Sequence, residues 1–121
     1  FAYSRKSMPP ELAKGRYEGS IQPGFQASFS SMFPAPRQDG VEAMAQFEIY
    51  LREIKHPALI VHGREDRVIP LSTSMKLISA LENAQLHVFG KCGHWTQIEH
   101  TQEFAAIVHN FLTIDPPYLK A

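Results

Sequence analysis

The sequence is poor in the features that announce most specialised classes of protein. It holds a single cysteine, Cys92, which rules out an internal disulfide and suits a reducing compartment. It has no excess of either charge: twelve Lys and Arg stand against twelve Asp and Glu, and no block of like charge occurs. That balance gives no reason to expect nucleic acid or an anionic membrane as a partner. No apolar run approaches the ~20 residues of a membrane span, and no N-terminal stretch has the make-up of a signal peptide. A soluble, cytoplasmic setting is the expectation. The chain also lacks an initiator methionine, opening on the apolar Phe1 and Tyr3, which read as the end of an element that begins elsewhere.

What is present fits one small domain: 121 residues, 44% of them hydrophobic. From Pro9 to about Arg52 the text reads as short helices broken by "QPG" and "PAPRQDG". Pro10 suits a first helical turn, Phe25, Phe29, Met32 and Phe33 recur at helical spacing, and Val41, Met44 and Ala45 do the same. Short helices rich in aromatics and prolines suggest a lid over something else, here residues 1–52. From Pro57 the pattern changes. "ALIVH" is a continuous apolar, β-branched run, as in a strand buried on both faces, and "LHVF" is a second. Between them lies a helix expected to turn Met75, Ile78 and Leu81 inward. After them Phe104, Ile107, Val108, Phe111 and Leu112 mark a closing helix. The order strand, helix, strand, helix predicts an α/β class with parallel strands.

Parallel strands joined by a helix present their C-terminal ends on one edge of the sheet, where α/β proteins place ligands and chemistry. The loops leaving those ends are "GREDRVIP" and "GKCGHW". If the strands are neighbours, ~4.8 Å apart, Asp66 from the first loop and His94 from the second can meet. A carboxylate on an imidazole fixes its tautomer and stabilises the imidazolium formed in proton transfer. Each residue has a plainer reading beside this one. His94 also reads as a surface or core histidine, and Asp66 as a turn former or as a solvated partner of Arg64 or Arg67. The remaining histidines, His56, His62, His87, His100 and His109, read as structural or surface residues. A metal site at Cys92, His94 and His100 has the spacing of neither a zinc ribbon nor a metalloprotease helix.

"HGREDRVIP" followed by "CGHWTQIEH" resembles the last two motifs of the α/β-hydrolase fold, whose triad runs nucleophile, acid, histidine in chain order. Within that fold, "LHVFGKCGHWTQIEH" and "GRYEGSIQPGFQASFSSMFPAPRQ" resemble the meta-cleavage product hydrolases, of the 2-hydroxymuconate-semialdehyde type, over nearly the whole chain. The resemblance implies the C-terminal part of such an enzyme: a partial helical cap over 1–52 and a βαβα portion of the core over 53–121. No serine here stands in G-x-S-x-G, and no H-G-S-G or H-G-G-G segment occurs. Nucleophile and oxyanion hole are therefore expected upstream.

By the same resemblance Asp66 and His94 are the catalytic acid partner and base. Arg16 of "GRYE" meets the carboxylate end of a dienoate, Trp95 lines the site, and Val68 touches the variable end of the substrate. The implied reaction is hydrolysis of a C–C bond in a 2-hydroxy-6-oxo-hexa-2,4-dienoate, giving 2-hydroxypenta-2,4-dienoate and a small acid, without metal or organic cofactor. "FPAPRQ" leans towards monocyclic substrates with hydrogen or a small alkyl group at the departing end. Arginine on a solvated helix face and tryptophan as packing are the plain alternatives for Arg16 and Trp95. Two other functions fit the same scaffold: a non-catalytic ligand-binding protein, and an esterase. Small molecules are the expected partners, with room for a homo-oligomer of the intact enzyme.

Overall fold

The computed structural model describes residues 1–4, 6, 8–34 and 36–113, without the side chains at 37, 38, 41, 44, 46 and 47. The chain divides into two compact units, one formed by Met8–Tyr50 and the other by Phe1–Ser7 with Leu51–Ala121.

The first unit is helical. Helix α1 (Pro10–Ser20) starts on a proline, whose missing N–H costs nothing in a first turn. Gly24, at φ 82°, supplies the left-handed residue from which α2 (Phe25–Met32) begins. Phe25, Phe29 and Phe33, four residues apart, lie against one another with ring centroids 6.5 and 5.2 Å apart. They are still 42–44% exposed, and Met32 is 64% exposed. Helix α3 (Arg37–Ala45) follows, and a 3₁₀ stretch over Gln46–Glu53 leads out of the unit. Of the residues read at helical spacing here, the side chains of Val41 and Met44 lie outside the described ones.

The second unit holds two strands, β1 (Ala58–Gly63) and β2 (Ala84–Phe89), paired in parallel from Ala58↔Ala84 to Gly63↔Phe89. Helix α4 (Leu71–Ala80) links them. At the entry to the sheet Asn83 accepts from the Ala58 amide at 2.9 Å and donates to the Lys55 carbonyl at 2.8 Å, while Lys55 pairs with Glu82. Phe89 closes β2 as one of two buried hydrophobic residues among the described residues, its ring stacked on His100 and edge-on to His87. The closing helix comes in two pieces, a single turn α5 (Thr96–Glu99) and the longer α6 (Thr101–Thr113).

Two expected core positions face outward. Met75 is 51% exposed, because the stripe on α4 runs through Leu71, Ser74, Leu77 and Ile78, roughly a quarter turn away at 3.6 residues per turn. Leu112 is 74% exposed, while Phe104, Ile107, Val108 and Phe111 are half-buried along α6. Among the described residues no helix is long and apolar enough to cross a membrane.

Candidate active site

Parallel pairing sends both loops off the same sheet edge, and the backbone then locks them together. The Arg64 amide continues the ladder to the Phe89 carbonyl at 2.8 Å. One residue on, Glu65 donates its amide to the Cys92 carbonyl at 2.9 Å and takes the Cys92 amide on its carboxylate at 3.0 Å. This approach is close enough to require glycine. A Cβ at Gly63 would collide with the Gly93 carbonyl oxygen and lie 2.6 Å from that of Cys92. At Gly93 it would collide with the Phe1 carbonyl oxygen and lie 2.8 Å from the Tyr3 nitrogen.

Asp66 then turns back on itself, its amide donating to the Gly63 carbonyl at 3.0 Å. Its Oδ1 accepts the amides of Val68 at 2.7 Å and Ile69 at 3.0 Å, and its Oδ2 lies 2.8 Å from His94 Nδ1. The side chain is 6% exposed, and burial alone would raise its pKa. The hydrogen bond from His94, with those from Ile69 and Val68, outweighs burial and holds the carboxyl below its ordinary value. Asp66 is thus an anion with only acceptors to offer, so His94 carries its proton on Nδ1 and leaves Nε2 as the free lone pair. That is the state a base needs. The His94 side chain is 28% exposed, open enough to meet a reactant.

Beneath this pair sits His62, a histidine expected to be structural or on the surface. It is buried, with Nδ1 2.7 Å from Ser74 Oγ, Nε2 3.1 Å from the Ile69 carbonyl and 3.8 Å from Asp66 Oδ2. It ties the Asp66 loop to α4. Trp95 precedes α5 and stacks on Phe1 with centroids 5.5 Å apart, and the Phe1 ring lies 5.8 Å from that of His94. Val68 presents a 48% exposed side chain from the Asp66 turn. Arg16 belongs to the helical unit, on the exposed surface of α1. In "FPAPRQ", residue 35 and the side chains at 37 and 38 lie outside the described residues.

Cys92 is fully buried, and burial, then the charges of Glu99, Glu65 and Asp66, push its thiol up to about 11. Among the described residues no three His, Cys, Asp or Glu side chains are grouped to hold a metal ion. Glu65 and Glu99 are the site's unforeseen members. The Glu65 carboxyl is held low, first by the Cys92 amide and then by Arg64. Glu99 accepts the Gly93 amide at 2.7 Å on one oxygen and the Tyr3 amide at 2.7 Å on the other. The only sequence signal for either was a carboxylate inside a motif already read for its aspartate or histidine.

Two parallel strands that deliver an aspartate and a histidine to one edge belong to a recognisable class. The chain is a member of the α/β-hydrolase fold family, whose sequence model matches residues 3–101. Within it, the chain is 55% identical over 112 residues to a 2-hydroxymuconate semialdehyde hydrolase of Pseudomonas putida, covering 93% of this chain and 40% of that enzyme. It is 53% identical over 115 residues to a 2-hydroxy-6-oxo-2,4-heptadienoate hydrolase of Pseudomonas putida F1, covering 95% of this chain and 42% of the relative. Among solved structures, it superimposes with a TM-score of 0.84 and 54% identity on a serine-to-alanine mutant of the meta-cleavage product hydrolase CumD from Pseudomonas fluorescens IP01, complexed with acetates. That match covers 93% of this chain and 41% of the other. The chain spans about two fifths of the length of these relatives. The resemblance drawn from its motifs therefore extends along nearly the whole of its own length.

Proposed function

We propose that these residues supply the acid and base of a Ser-Asp-His triad in an enzyme that hydrolyses a C–C bond of 2-hydroxy-6-oxo-hexa-2,4-dienoates, the ring-opened products of catechols. In this reading residues 1–52 are part of the helical cap, residues 53–121 are the last part of the core, and the serine stands upstream. The observation that carries it is the His94–Asp66 bond of 2.8 Å at the C-terminal edge of two parallel strands, within a chain 53–55% identical to such hydrolases. The enzyme works in the cytoplasm on a small-molecule substrate, without metal or organic cofactor, and has the option of a homo-oligomer.

The chemistry adds water across one C–C bond. The bound dienolate first takes a proton at carbon and becomes a ketone. The serine hydroxyl, or a water that it helps to activate, then attacks the distal carbonyl while His94 Nε2 removes the nucleophile's proton. Asp66 stabilises the imidazolium that results. The C–C bond breaks, its electron pair leaves on the dienoate portion, and the acyl portion ends as a carboxylic acid. Arg16 pairs its planar guanidinium with the substrate's carboxylate end, Trp95 lines the site, and Val68 meets the departing acyl group.

The test uses the protein extended upstream to the length of its relatives, with loss of 2-hydroxymuconate semialdehyde followed by absorbance. His94→Ala should lower kcat by roughly 10³-fold or more, and Asp66→Asn by up to about 10⁴-fold, because Asn favours the wrong tautomer. A parent protein that binds the dienoate without turning it over would assign a receptor role instead. Rapid turnover of simple esters with none of dienoates would assign an esterase.

A further inference from the structure

We propose that Glu99 is a positioning residue for His94, acting through the backbone that carries the imidazole. The inference rests on the triad reading above and adds to it the group that sets where the base stands. His94 reaches Asp66 from a loop that contains a residue in the left-handed region, Lys91 at φ 55°, and two glycines. Such a loop does not hold a side chain in place by its own stiffness. The structure supplies the stiffness from outside it.

Three polar anchors act on consecutive amides. The Cys92 amide donates to Glu65 at 3.0 Å, the Gly93 amide to Glu99 Oε1 at 2.7 Å, and the His94 amide to the Phe1 carbonyl at 2.7 Å. The third anchor depends on the second residue. Phe1 belongs to a short segment whose Tyr3 and Ser4 amides lie 2.7 and 3.4 Å from Glu99 Oε2. One carboxylate therefore holds the His94 loop directly and also holds the segment that holds the His94 amide. A carboxylate suits a place where its neighbours are the N–H donors of Gly93, Tyr3 and Ser4, with the Cys92 thiol 4.0 Å from Oε1, and hydrogen bonds to a charged acceptor are about twice as strong as neutral ones. Glu99 is the last residue of α5, so the short helix after His94 returns the carboxylate to the loop that precedes it.

The geometry separates Glu99 from a merely structural group. It lies against backbone on both oxygens and is half-buried, and its bonds end one residue short of His94. A displacement of about 1 Å in a catalytic group can cost 10²-fold in rate with little change in binding. Glutamine at 99 keeps one acceptor and turns an NH₂ towards the other N–H donors. Alanine removes both acceptors.

Glu99→Gln and Glu99→Ala are compared in the full-length protein with the parent, with Glu103→Gln on the exposed face of α6, and with His94→Ala. The expected order of kcat is parent, Gln, Ala, with losses of roughly 10-fold and 100-fold, KM within twofold, and Glu103→Gln unchanged. The downfield proton resonance of the His94 Nδ1–H bond to Asp66, identified by its absence in His94→Ala, should broaden or shift in both Glu99 variants while the fold persists. Parent-like kcat and resonance in both variants overturns the inference. So does a loss that appears in KM, or that matches the fraction of unfolded protein, including failure of both variants to fold. A parent without dienoate hydrolysis, or an active His94→Ala, fails the functional reading instead and is told apart by those two measurements alone.

Discussion

Asp66 has three donors for two oxygens, and an amide in its place would keep one acceptor and turn an NH₂ towards the donor on the other side, His94 Nδ1 if the oxygen stays with the Val68 and Ile69 amides. Asp66→Asn is therefore expected to destabilise the fold as well as slow the reaction, by about 1–3 kcal/mol at neutral pH. Because the folded carboxyl titrates below its ordinary value, the stability it contributes is complete above about pH 4 and disappears as pH falls through the lower folded value. The difference between parent and variant in urea midpoint should then shrink as pH falls below 4. A difference that persists unchanged between pH 4 and pH 2 would contradict the assignment of Asp66 as the ionised partner. Cys92 gives a second residue-scale expectation. With its thiol pushed up to about 11 and no exposed surface, its peptide should stay unmodified by iodoacetamide at pH 8 until denaturant is added. The meeting of Asp66 with His94 was legible because loop spacing after two apolar runs is a sequence property. The anchoring carboxylates were not, since a glutamate that binds backbone amides is spelled like one in water.

At the scale of elements, two loops lie on one another so closely that Gly63 has no room for a methyl group, with backbone rather than a yielding side chain in the way. Gly63→Ala should cost about 1–3 kcal/mol or more, read as a lower denaturant midpoint, together with a loss of activity as the His94 loop is pushed aside. Gly90→Ala is the control: its Cβ would meet only the Arg64 guanidinium at 3.5 Å, an ordinary contact with a flexible side chain. Equal midpoints for the two variants would mean that the loops are not held at this distance. The strands themselves were readable, since "ALIVH" and "LHVF" have the length and branching of buried strands. The faces of the helices were less so. On α4 the serine at 74 is buried under a hydrogen bond to His62 and takes the place that an apolar count would give to Met75. The docking of Phe1–Ser4 on the His94 loop joins residues more than ninety apart in sequence, and no local pattern carries such a pairing.

For the molecule as a whole, the two strands form a sheet with few buried side chains: β1 and β2 are half-buried along most of their length, and only Phe89 and Cys92 form a buried hydrophobic core among the described residues. Strands of this composition are normally covered on both faces, and their open edges invite pairing with other chains. The triad reading adds a chemical incompleteness to the physical one. Asp66 and His94 can take a proton from a hydroxyl, but no G-x-S-x-G serine stands in these 121 residues to offer one. Backbone donors aimed at the developing oxyanion are worth ~10²–10³ in rate by themselves, and the triad without its nucleophile has no covalent route. A polypeptide of these residues alone is thus expected to aggregate readily and to leave 2-hydroxymuconate semialdehyde and its 6-methyl analogue unhydrolysed above background. The polypeptide that continues upstream to the serine should be active, and within it Arg16→Ala should be impaired on dienoates but close to the parent on simple esters that lack the carboxylate. Equal impairment on both would remove the carboxylate-binding role from Arg16. Steady turnover by the isolated 121 residues, abolished by His94→Ala, would place a nucleophile within them, and a serine outside the G-x-S-x-G pattern would then have to be sought within reach of His94 Nε2.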